Sequence, residues 1–298
     1  MTNQVTTIDT NNYAAMAKAM GMGQAASTEK KASSLARLRI NHTPVMGQAE
    51  VKGKQVNVEV VEGGTYKLEI PDGPTYFAEK IKIRPFLQRF MYKKFVMGND
   101  TTPNRYVKTV MGDTLNTDMK DNDGGFNCGK PSGWIEDFSS LPETMKDLIR
   151  SIKRVRALFG TVDMVNATDA QGNPVDTDTI PFIYEIENRD AFKTFGTVFN
   201  KLGKMQRLPP QHYISCGTEK RDLPNGSCFY LPTADLDLMS TLDMDNDTQE
   251  VFADFMAWIA NYNQYILNEW SDKMQHSNEE IPDAIVDDLV DIDEDAFA

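Results

Sequence analysis

The stretch "EKIKIRPFLQRFMYKKF" (residues 79–95) carries the reading of the fold. Ile81 and Ile83 alternate with Lys80, Lys82 and Arg84, the period of a strand with one buried face. Upstream, Val56, Val58 and Val60 alternate with polar residues, Gly63-Gly64 signals a tight turn, and Tyr66, Leu68 and Ile70 alternate again. Asp72-Gly73-Pro74 punctuates the run before Tyr76. The pattern predicts an antiparallel meander through residue 95.

Downstream, "NRYVKTVM" (104–111) predicts a strand, and residues 112–139, rich in Asp, Asn and Gly, a loop. "SSLPETMKDLIRSI" predicts a helix capped by Ser140, with Pro142 in its first turn and Glu143 three residues after the cap. "KRVRALFGTVDMV" returns to strand, and "IPFIYEIENR" is another. Asp190 is placed to cap a helix over 191–204, where Phe192, Phe195, Val198, Phe199 and Leu202 form one stripe. Strands follow at 211–217 and 226–231. Asp247 and Glu250 open a long helix over 248–274, with Val251, Phe255, Trp258, Ile259, Tyr262, Ile266 and Trp270 on its apolar face. Many short strands with helices between and after them describe an α+β or barrel-like chain, not a βαβ repeat. The expected organisation is a flexible segment at 1–35, compatible with a short helix at 12–20. A body at 36–233 follows, then an acidic linker and helix at 234–276, and a disordered acidic tail at 277–298.

At 298 residues, 40% apolar and 9% aromatic, the composition is that of a globular protein. No apolar run approaches the roughly 20 residues of a membrane span, and no signal-peptide pattern opens the sequence. Three widely spaced cysteines argue against a disulfide framework and predict a reducing, cytoplasmic setting. The net charge of −13 is unevenly spread. Residues 234–298 hold 18 acidic residues and one lysine, which leaves the rest of the chain at +4. That asymmetry suggests a polyanion-binding body with an acidic interaction tail, or an ordinary domain with a solubilising tail.

Residues 79–95 interleave Lys80, Lys82, Arg84, Arg89, Lys93 and Lys94 with Phe86, Phe90, Tyr92 and Phe95. Cations that follow phosphates and rings on which bases stack are the two components of sequence-independent single-strand binding. An amphipathic strand with a solvated lysine face has the same pattern. Lys153, Arg154 and Arg156 form a second basic cluster, with Arg suited to phosphate forks. In "DNDGGFNCGKPSGWIEDF" (121–138), Phe126, Lys130 and Trp134 stand among glycines, offered to a ligand or packed in a turn. Asp121 and Asp123 lack the spacing of a calcium-binding EF-hand loop. His212, Cys216, Cys228 and Cys128 could supply four zinc ligands, though no Cys-x2-Cys pair anchors them. Neither a metal nor a cofactor is expected. No GxSxG, GxxxxGK[ST] or HExxH motif is present, and the chain is not expected to be an enzyme.

The stretch "DDLVDIDEDAFA" (287–298) has six acidic residues, no basic one, and a single aromatic. With the basic body, it resembles single-stranded DNA-binding proteins of bacteria and tailed phages. That resemblance implies an elaborated OB-like antiparallel β-barrel, and sequence-independent single-stranded DNA binding in phage replication, recombination or repair. It implies a tail that recruits replication or repair proteins through Asp291, Asp293, Glu294, Asp295 and Phe297, or competes with DNA. A phage-encoded chain would act in the host cytoplasm. The stretch departs from the family pattern by ending in Ala298. The alternative is a phage structural or assembly protein whose acidic tail keeps it soluble.

Overall fold

The structure, a computed structural model, describes residues 35–51, 54–99, 101–133 and 135–279. The expected helix at 12–20, Trp134 and residues 280–298 of the expected tail lie outside them; residues 277–279, expected to be disordered, belong instead to the last helix. Two long antiparallel strands form the spine. Strand β6 (Lys80–Val96) pairs with β8 (Ile152–Val165) over nearly its whole length. The register shifts between Pro85 and Leu87, so β6 carries one more residue than its partner there. Proline has no N–H to give to the ladder, and a bulge is where a strand interior tolerates it. Gly160 sits opposite Pro85, and a Cβ at 160 would lie 2.4 Å from the Arg84 carbonyl oxygen. The close approach requires glycine.

The bulge inverts the alternation of β6. Before it, Ile81 and Ile83 enter one core. After it, Leu87 and Met91 enter another, on the opposite face. Residues 88, 90, 92 and 94 therefore change sides relative to a simple continuation of the Lys80-Lys82-Arg84 row.

The other strands are β1 (Ala36–Ile40), β2 (Val45–Val51), β3 (Lys54–Val61), β4 (Tyr66–Glu69), β5 (Thr75–Ala78), β7 (Arg105–Lys108), β9 (Ile180–Ile186), β10 (Ile214–Asp222) and β11 (Cys228–Leu236). The main sheet runs β11-β10-β6-β8-β9-β1-β4-β5, with β7 on the far end of β6. All neighbours are antiparallel except β1 and β9, which are parallel. The expected OB-like barrel is corrected here. The sheet stays open, with β11 and β5 at its two ends. The β10–β11 hairpin leans back toward β4, where Tyr66 donates to the Gly217 carbonyl and Thr218 to that of Gly64, but no ladder closes the ring. The expected meander is also interrupted, because β3 pairs with β2 in a separate ribbon while β4 pairs with β1 and β5.

Closure is unnecessary because helices cover both faces. Helix α1 (Glu143–Ser151) packs Leu148 beside Tyr92, Val107 and Cys128. Helix α2 (Arg189–Lys204) lays Ala191, Phe195, Val198 and Leu202 against Leu158, Phe182, Tyr184 and Ile186. Helix α3 (Asn246–Glu279) lays Phe255 and Ile259 on Leu87, Met91, Val155, Phe159 and Ile183 on the other face. Each such ring or aliphatic chain contributes roughly 1.5–3 kcal/mol on burial. The caps differ from the sequence expectation by a few residues. Pro142 precedes α1 while Ser140 donates to the Asp137 carbonyl. Asn188 rather than Asp190 accepts the first amides of α2. Asp245 accepts from the Thr248 amide at the start of α3. The acidic stretch assigned to a linker from 234 begins inside β11. Within the expected loop at 112–139, the buried Asp121 carboxylate accepts from the amides of Asp123, Gly125 and Cys128 and so fixes the turn between them. Further along α3, Tyr262, Asn263 and Trp270 bond to the carbonyls of Thr109, Met111 and Gly125.

Candidate nucleic-acid interface

The bulge divides the residues expected to meet nucleic acid. Lys80, Lys82, Arg84, Arg89, Lys93 and Lys153 share the α3 face, whereas Phe90, Tyr92, Lys94, Arg154 and Arg156 share the α2 face. Several serve the fold. Phe86 is buried edge-on against Phe255. Tyr92 is buried and donates to the Leu115 carbonyl. Arg156 is only 6% exposed, clamped between Phe90 and Phe192 at 5.0 and 4.3 Å, and donates to Gln88. Burial lowers its guanidinium pKa to about 10. These three side chains have no route to a strand on the surface. Arg84 donates to the Pro210 and Asp243 carbonyls, tying down the chain that leads to α3. Arg89 pairs with Asp113, Lys94 donates to the Cys128 carbonyl, and Lys130 donates to that of Pro131. Lys82 lies over the Tyr213 ring at 3.8 Å.

Lys93 and Lys153 belong to a larger arrangement. On the α3 face, Lys153 of β8, Lys93 of β6 and Lys108 of β7 stand opposite one another in a row. The next pair is Phe95 and Tyr106, with ring centroids 5.2 Å apart. They are 46% and 50% exposed. Lys93 approaches the Tyr106 ring at 4.8 Å. An exposed ring pair flanked by three lysines is a surface on which a base can stack while its phosphates are neutralised.

The row leads to a cleft. Strands β1 and β9 pair only at Ala36–Phe182 and Arg37–Ile183, then splay apart. The opening has a volume of about 640 Å³. Arg37, Arg39 and His42 line one side, Glu185 to Asn188 the other, with Lys93, Tyr106 and Lys108 at one mouth and Phe229 to Pro232 beyond. Tyr230 packs on Gly64, where φ is +93° and a Cβ would lie 2.5 Å from the ring, so glycine is required on both counts. The Tyr230 amide donates to His42 Nδ1, and the two rings stack at 6.5 Å.

The charges in the cleft are unequal in their bonds. Lys93 donates to Glu185 at 2.9 Å and Glu187 at 2.6 Å. Burial disfavours its ammonium form, but the two carboxylates outweigh burial and hold its pKa above 10.5. Lys108 is 3.8 Å from Glu185. Its burial, reinforced by Lys93 and Arg37, pulls it below the ordinary lysine value. Burial pushes Glu185 up, yet Lys108 and Lys93 bring it below 4.5. Arg39 has a loose contact to Glu69 at 3.6 Å.

Sequence reasoning passed over Arg37, Arg39, Tyr106, Lys108 and Tyr230. "ARLRI" (36–40) repeats the alternation of "KIKIR", and that was the available signal for the two arginines. The four candidate zinc ligands are not gathered. Cys128 lies in the α1 cluster and Cys216 in the α2 core, and no cluster of three or more metal-binding side chains occurs among the described residues. No helix among them is long and apolar enough to cross a membrane. Comparison of the chain with known protein families, with curated proteins and with solved structures found no match.

Proposed function

We propose that the chain binds single-stranded DNA without sequence preference, along the α3-face track from Lys153 through Lys93, Lys108, Phe95 and Tyr106 to the cleft between β1 and β9. The observation that carries the reading is the exposed Phe95–Tyr106 pair set directly beside the lysine row. A duplex keeps its base faces stacked inside and offers no ring face to these side chains, so the arrangement favours unpaired bases. The resemblance carried by residues 287–298 supports a role in phage DNA replication, recombination or repair. In this reading that stretch competes with DNA for the cations, or docks a replication or repair partner through Phe297.

The test is a fluorescence anisotropy titration with a labelled single strand, its RNA equivalent and the duplex. Tight binding of the single strand over the duplex, weakened by Tyr106→Ala with the far-ultraviolet circular dichroism unchanged, supports the reading. Equal affinity for duplex and single strand, or full affinity in Tyr106→Ala and Phe95→Ala alike, defeats it.

A further inference from the structure

We infer that the cleft between β1 and β9 receives a terminal phosphomonoester carried on a nucleotide; the inference rests on the strand-binding reading above. Shape is the first ground. The two pairs Ala36–Phe182 and Arg37–Ile183 close the wedge at one end. A chain threaded between the splayed strands meets that ladder, which suits a chain end better than an interior segment. Size is the second. A volume of about 640 Å³ falls among small-ligand pockets, typically about 300–1,000 Å³, and suits a terminal nucleotide rather than a run of them.

Charge is the third ground. Arg37, Arg39, Lys93 and Lys108 line the cleft against Glu185 and Glu187, which leaves two positive charges in excess. A phosphomonoester carries about −1.5 to −2 at neutral pH, whereas an interior phosphodiester carries a single charge. Both carboxylates are engaged closely by Lys93, while Lys108 reaches Glu185 only at 3.8 Å and Arg39 reaches Glu69 only at 3.6 Å, so Arg37 and these two loosely held cations are the groups that can turn to an anion. Arginine forks match phosphate oxygens in pairs. Lys108, crowded by Lys93 and Arg37, gains an opposite charge when the anion arrives. Tyr106, half exposed, stands on the wall, where its ring is available to the attached base.

This chemistry has two sources, the phosphorylated end of a strand and a free mononucleotide. One experiment separates them on the full-length protein. Strands of one sequence are compared by anisotropy competition as 5′-phosphorylated, 3′-phosphorylated, hydroxyl-ended and covalently closed circular forms, and dTMP is titrated by calorimetry. At least one phosphorylated end is expected to bind about tenfold more tightly than the circle, the gain of charge-assisted hydrogen bonds to the dianion. Arg37→Gln and Arg39→Gln should bring that ratio to about one, while Lys82→Gln, outside the cleft, should leave it. Binding of dTMP that Arg37→Gln abolishes, without an end preference, assigns the site to the free nucleotide. Equal affinity for all four strands with no dTMP binding overturns the inference and leaves the strand reading standing. If no strand binds, the strand reading falls and the dTMP titration alone decides the cleft.

Discussion

The cations of the track set a salt dependence that can be worked out in advance. Five line the path, namely Arg37, Arg39, Lys93, Lys108 and Lys153. Lys93, held at 2.9 and 2.6 Å by Glu185 and Glu187, should release no counterion on binding, whereas the looser contacts of Lys108 and Arg39, at 3.8 and 3.6 Å, should yield to a phosphate. Four remain. Each phosphate neutralised on a single strand contributes about 0.7 to the slope of log affinity against log salt, so the slope should be about −2.8. From about 50 to about 300 mM NaCl, affinity for a hydroxyl-ended oligonucleotide should then fall about 150-fold. Lys153→Gln removes one contact from the exposed end of the row. Its slope should be about −2.1, and the same salt interval should cost about 40-fold. Glu187→Gln takes one carboxylate from Lys93 and should steepen the slope beyond the wild-type value. The assay is anisotropy with a labelled oligonucleotide at five or more salt concentrations. A wild-type slope shallower than about −1, or an identical slope in Lys153→Gln, would refute the assignment of these cations to phosphates.

Three other outcomes follow from the geometry. Gly160→Ala places a Cβ against the Arg84 carbonyl, and the overpacked bulge should lose about 1–3 kcal/mol or more in urea denaturation; an unchanged midpoint would mean that the bulge is not as described. Glu185 has a folded pKa below its ordinary 4.5, so the stability it contributes is complete above that value and is lost as pH falls through the lower folded one. Glu185→Gln should therefore flatten the fall in urea midpoint between about pH 5 and pH 2.5, and an equally steep fall would show that its pairing with Lys93 and Lys108 does not matter to folding. Deleting residues 280–298 removes eight carboxylates and should tighten single-strand binding at low salt, with the gain fading as salt screens it. Identical titration curves for the deletion and the full chain would rule out competition by this segment.

Local patterns were legible where one residue decides one contact. The alternation at 56–60 and 66–70 marked real strands, and the stripes of α2 and α3 named the rings that reach the cores. Pairing between distant segments was not legible. Nothing in "ARLRI" or "IPFIYEI" announces that β1 and β9 lie side by side across some 145 residues, and the cleft exists only because they do. The bulge was the second hidden feature. Pro85 was visible, but nothing around it announced the extra residue that sends Phe90 and Tyr92, with Arg156 opposite them, to the face away from Lys82. The barrel expectation failed for another reason. It came with the resemblance, whereas β6 and β8 bury residues on both faces under α2 and α3 and need no closure.

Photocrosslinking tests the central claim most directly. A single strand carrying 5-iodouracil should be irradiated in complex with the full-length protein and the adducts mapped by peptide mass spectrometry. The account predicts adducts on Phe95 or Tyr106, within the peptide spanning 95–106, because these are the exposed rings beside the lysine row. Adducts confined to the exposed rings of other surfaces, such as Phe126 or Phe252, with none at Phe95 or Tyr106, would contradict it.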